Sequence, residues 1–139
     1  METDFRSLPE SMEAEELAAY FNKFLSECSK NDYSLYALKQ LYELAYRQWD
    51  TYEALNPEIG EKIEDYLMSA MNLKSYEITD VIISIVENLS LKNVFHYLLD
   101  CRSSIGSASI RHLIDEAEEG YADTIDDPYN NDDDDDGWL

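Results

Sequence analysis

The chain has 139 residues, with 31 acidic and 10 basic side chains, a formal net charge of -21 and an isoelectric point near 4.1. That length suits one domain, and an apolar share of 45% is enough to bury a core without disulfides or metal. So negative a surface disfavours nucleic acid and anionic membranes as direct partners and favours basic proteins.

The N-terminus, Met1 to Phe5, is acidic and polar, without the basic and apolar regions of a signal peptide. The first helix is expected after Ser7-Leu8-Pro9-Glu10, which has the form of a capping box with Pro in the first turn. Its apolar stripe is Leu17, Phe21, Phe24, Leu25 and Cys28, and Asn31-Asp32 punctuates the chain. A second helix is predicted from about Ser34 to Asp50, with Leu35, Leu38, Leu41, Tyr42, Ala45, Tyr46 and Trp49 facing inward. Asn56-Pro57 opens a third, on which Ile59, Ile63, Tyr66, Leu67, Ala70 and Met71 share a stripe.

Ser75 caps a fourth helix, with Ile78, Val81, Ile82, Ile85, Val86 and Leu89 buried. Its β-branched run would suit a strand, but spacings of three and four residues make it helical. Ser90 is expected to start a fifth helix carrying Leu91, Val94, Phe95, Leu98 and Leu99, after a link too short for anything but an antiparallel hairpin. A sixth follows Gly106, with Ile110, Leu113, Ile114, Ala117 and Tyr121 as its stripe. The predicted architecture is all-α: about six helices, as a compact bundle or a short HEAT-like stack of hairpins. Residues 1–125 form the expected domain and 126–139 an acidic tail, expected to be flexible.

Arg111 is the last Lys or Arg, and twelve of the acidic residues follow it. In the tail, Asp132-x-Asp134-x-Asp136-Gly137 matches the opening of a calcium loop, yet the chain ends before the bidentate Glu such a loop needs. His96 and His112 have no metal-ligand spacing with Cys28 or Cys101, and His112 beside Asp115 and Glu116 reads as a surface histidine among acids. No nucleophile elbow, phosphate loop or metalloprotease helix occurs, so neither catalysis nor a cofactor is expected. Two cysteines without a signal peptide are expected to be reduced, in a cytoplasmic chain.

Acidic faces recur on the helices. Glu58, Glu61 and Asp65, with Glu64 beside them, mark the third; Glu77, Asp80 and Glu87 mark the fourth. Few lysines or arginines stand at the spacing that would neutralise them. The chain also has eleven tyrosines. Tyr42 and Tyr46, with Trp49, are expected in the core, whereas Tyr33, Tyr36 and Tyr52 are expected to be exposed contacts.

Three stretches carry a resemblance: Tyr76-Glu77-Ile78-Thr79-Asp80-Val81-Ile82, then Phe95-His96-Tyr97-Leu98-Leu99, then Ile110 to Glu119 with the closing Ala122 to Tyr129. With these the chain resembles helical, HEAT-like immunity proteins of bacterial contact-dependent growth inhibition and related polymorphic toxin systems. The resemblance implies a monomer that binds a basic toxin domain, often a nuclease, and covers its active site or substrate entrance. On that reading Asp115, Glu116, Glu118, Glu119, Asp123, Asp126 and Asp127 are the expected electrostatic contacts. Glu77, Asp80 and Glu87 are a second set, with Tyr33, Tyr36 and Tyr52 as anchors. The alternatives are a nucleic-acid mimic acting on another nuclease and a helical-repeat adaptor without inhibitory activity.

Overall fold

A computed structural model of the chain describes residues 5–28 and 32–121, with the side chain of Tyr121 outside the description. Within them lie six α-helices and no strand: α1 Ala14–Cys28, α2 Leu35–Asp50, α3 Pro57–Ala70, α4 Tyr76–Leu89, α5 Lys92–Cys101 and α6 Ala108–Tyr121. Single 3-10 turns precede α1 at Phe5–Ser7 and follow α5 at Arg102–Ser104.

Most helix starts follow from local chemistry. Ser34, Asn56 and Ser75 each accept backbone N–H groups of the first turn, Asn56 from both Glu58 and Ile59. Ser107 Oγ accepts the Ile110 N–H at 3.3 Å and so opens α6. Two starts differ from expectation. α1 begins at Ala14, because Glu16 reaches back to the Glu13 N–H at 3.4 Å, leaving Leu8 and Pro9 to serve another purpose. Ser90 does not open α5; it closes α4 in a left-handed conformation, φ 59°.

Nor does α5 have a side-chain cap of its own. Glu64, from α3, supplies it: its carboxylate accepts the Asn93 and Val94 N–H groups at 3.0 and 3.2 Å and the Asn93 amide at 3.0 Å. A carboxylate at a helix N-terminus also meets the positive end of the helix dipole.

Packing follows a simple rule. Each helix meets the next but one, so α1, α3 and α5 form one row and α2, α4 and α6 another. The rows join through α1 with α2, α4 with α5, and α5 with α6. A bundle and a stack were both open from the sequence; this arrangement of two rows is stack-like. The core between the rows contains Phe21, Phe24, Leu38, Leu41, Leu67, Ile82 and Ile85, each fully buried. α4 packs against both α2 and α6, so its buried arc is wider than one stripe and takes in Thr79 and Ile83. The Thr79 hydroxyl stays paired, donating to Ser75 O at 2.8 Å.

The inward face of α2 departs from expectation for a similar reason. Leu44, Gln40, Arg47 and Gln48 are buried, whereas Tyr46 is exposed and Tyr42 and Trp49 are only half-buried. α2 is enclosed by α1, α4 and an N-terminal strap, residues 5–10, which presents backbone polar groups that call for polar side chains. Gln40 Oε1 accepts the Phe5 N–H at 2.6 Å. Arg47 donates to Leu8 O at 2.9 Å, Pro9 O at 2.8 Å, Glu43 O at 2.8 Å and the Glu43 carboxylate at 3.0 Å. Phe5 completes the strap, buried and edge-on to Tyr20 at 5.9 Å. Both cysteines are free, Cys28 buried and Cys101 half-buried. No helix among the described residues is long and apolar enough to cross a membrane.

Candidate functional site

The acidic positions divide into three surfaces. The first is the exposed side of α6. Asp115 and Glu118 do not point freely to solvent there: both hold Arg102, from the preceding 3-10 turn, at 3.0 and 2.6 Å. Glu118 is the main cause, with Asp115 behind it, of the Arg102 guanidinium holding its proton more firmly than usual. Glu116 lies 3.6 Å from His112, both well exposed, and Glu119 is exposed. The rim is therefore partly neutralised by a basic residue that lies outside its own helix. Asp123, Asp126, Asp127 and the Asp132–Asp136 run lie outside the described residues.

The second surface is a groove of about 480 Å³ between the N-terminal halves of α2 and α4. Tyr36, 44% exposed, and Tyr76, 49% exposed, line it together with Glu77 and Asp80. The spacing explains the meeting: Tyr76 and Asp80 stand one helical turn apart on α4, and the parallel rise of α2 brings Tyr36 opposite. Among the described residues the Glu77 and Asp80 carboxylates make no hydrogen bond or ion pair. Arg6 and Lys39 share the lining, so the groove is mixed in charge within a strongly negative molecule. Two groups expected separately from the sequence, an acidic face and an anchor tyrosine, here form one site. Tyr76 was missed, although its place one turn before Asp80 was the signal that could have found it. Glu87 is half-buried and outside this lining.

The third surface lies on the other row, a groove of about 540 Å³ between α3 and α5. Glu61, Glu64, Asp65 and Met68 form a stripe along α3 at spacings of three and four, and Val94 and Tyr97 face them from α5. The acidic face was visible in the sequence; its apolar neighbours from another helix were not.

The tyrosine expectations hold unequally. Tyr52 is 77% exposed and stands alone past the end of α2, in a left-handed conformation at φ 57°. Tyr33 needs correction as an exposed contact: it packs against the core, its ring 5.3 Å from Tyr66, which is itself edge-on to Phe24 at 5.1 Å. The Tyr66 hydroxyl donates to Asp32 O at 2.7 Å. Burial raises the Tyr66 phenol, and burial with the Asp32 charge pushes the neighbouring Cys28 thiol up to about 11. This cluster is structural and chemically quiet. No group of three or more His, Cys, Asp and Glu side chains among the described residues is placed to hold a metal. Compared with protein-family models, curated proteins and solved structures, the chain matches none.

Proposed function

We propose that this chain is an immunity protein that binds a cognate basic toxin domain, most simply a nuclease, and neutralises it by covering its active site or substrate-binding surface. The observation that carries this reading is the α2–α4 groove, where two exposed tyrosines flank the unpaired carboxylates of Glu77 and Asp80. Nuclease sites present Lys and Arg to phosphates, and fixed carboxylates can occupy the same positions. The -21 charge of the whole chain accelerates encounter, by about 10- to 1,000-fold at low salt for steered pairs, while buried aromatic anchors slow release. The Asp115–Glu119 rim contributes to the field more than to direct contact, because Arg102 already occupies two of its carboxylates.

The test begins with the genes beside this one: where one encodes an exoprotein with a basic C-terminal domain, that domain is co-expressed with this chain and growth is measured. Rescue is expected, and Tyr36→Ala with Asp80→Lys is expected to abolish it while the protein stays folded. A folded, well-expressed chain that gives no rescue refutes the proposal. A second reading, a helical adaptor, is favoured by the stack-like rows. It predicts an association rate almost independent of salt, where the inhibitor's should fall steeply.

A further inference from the structure

The α3–α5 groove has a different character from its counterpart on α2 and α4, and the two linings share no residue. Its charged lining is wholly acidic: Glu61, Glu64 and Asp65. Lys62 and Lys92, the basic residues of these two helices, do not line it. Beside the carboxylates lie two large apolar side chains in water, Met68 at 41% and Tyr97 at 36% exposure. Glu64 is committed to capping α5, which pins the two walls together. Glu61 and Asp65 have no hydrogen bond or ion pair among the described residues.

We infer that this groove is a second docking site, whose occupant is a short basic amphipathic helix of a partner protein, with an apolar side chain seated on Met68 and Tyr97 and Lys or Arg on Glu61 and Asp65. Each part of that description answers a feature of the lining. An acid-only wall selects cations and rejects acidic segments, which gives specificity and faster encounter. Met and Tyr accommodate apolar side chains of varied shape, since one is unbranched and the other keeps a polar tip for the wet rim. The shorter wall, α5, has ten residues, so an occupant of about three helical turns spans it. Helix-in-groove recognition uses anchors at this periodicity. The inference rests on the reading of the chain as a partner of basic proteins, but not on the α2–α4 groove or on toxin neutralisation.

The probe is a synthetic helix-forming peptide of about three turns, with leucines along one stripe and lysines on either side. Its binding to the full chain is measured by fluorescence anisotropy at low salt, with amide shifts locating the site. Shifts are expected on α3 and α5. Glu61→Lys with Asp65→Lys should weaken binding by at least about tenfold, and Met68→Ala with Tyr97→Ala by a similar factor. Glu77→Lys with Asp80→Lys changes the net charge equally on the other groove and should leave affinity within about twofold. All these side chains are exposed, so folding is preserved and is checked by circular dichroism. Equal weakening by both charge reversals would reduce the effect to the overall field and overturn the proposal. Indifference to the loss of Met68 and Tyr97, or no binding at low salt, would do the same. Growth rescue reads the toxin proposal separately, so loss of peptide binding with intact rescue refutes this inference alone.

Discussion

Replacing Arg47 by Met keeps most of the side-chain volume and removes the guanidinium, which is where the N-terminal strap is held. Arg47 is 3% exposed and donates to three backbone carbonyls and to Glu43. A hydrogen bond from a charged donor contributes about 1.5–3 kcal/mol net. The Glu43 carboxylate, 30% exposed, can rehydrate and adds little. The Glu43 carbonyl lies in the helix and retains its backbone partner, so Leu8 O and Pro9 O carry most of the loss. Two such bonds give about 3–6 kcal/mol, a large part of the 5–15 kcal/mol typical of a domain. With a urea slope of about 2 kcal/mol per molar, the midpoint should fall by about 1.5–3 M. Hydrogen exchange should show the cause: the Leu8 and Phe5 amides, bonded to Phe5 O and Gln40, lose protection while α3 and α5 keep theirs at matched stability. A loss under about 1 kcal/mol with Leu8 still protected would refute the reasoning, because the strap would then be held by something other than Arg47.

Tyr52 occupies a left-handed conformation that costs a side-chain-bearing residue about 1 kcal/mol, with no compensating burial. Tyr52→Gly should therefore raise stability by about 0.5–1 kcal/mol in urea melts, and slow-off partner binding should suffer if the exposed ring is an anchor. Unchanged affinity would remove Tyr52 from the contact surface. Cys28 keeps its proton to about 11 in the folded state, against 9.0 when free. A group raised on folding stabilises fully below its unfolded value, and that contribution is lost as pH climbs towards the folded one. Stability should hold to pH ~9 and drop by about 2 kcal/mol by pH ~10.5, with Tyr66 acting in the same direction. Cys28→Ala should flatten that slope; an unchanged slope would refute the assignment. Thiol labelling at neutral pH should modify Cys101 before Cys28.

Helix number, type and most apolar faces were legible because each depends on short-range periodicity, and Ser34, Asn56 and Ser75 act on their own first turns. What was not legible depended on other elements. Ser7-Leu8-Pro9-Glu10 has a capping sequence, but its carbonyls serve Arg47 of α2, and that long-range use prevails over the local signal. Ser90 has a capping side chain, yet the sharp link between α4 and α5 needs a left-handed residue there. Gln40, Arg47 and Gln48 interrupt the apolar pattern of α2 because each has a partner outside the helix, in the N-terminal strap or in the link after α2, that no periodicity reveals. The acidic faces of α3 and α4 were visible one helix at a time. Their pairing with Tyr97 and Tyr36 appears only when the rows are assembled.

The cap that Glu64 lends to α5 ties the start of one helix to the geometry of a groove. A ten-residue helix is too short to persist alone in water, and this one begins without an acceptor of its own. The Asn93 and Val94 N–H groups of its first turn find their acceptor on α3, in Glu64, 29 residues before Asn93. The start of α5 thus depends on its neighbour, and the groove between them is a joint product of the two helices. Separating α3 from α5 would leave the Asn93 and Val94 N–H groups without this acceptor, and a ligand that clamps the two helices together should stabilise both. One carboxylate thereby couples the two helices, beside the burial of Val94, Phe95 and Leu98 in the shared core.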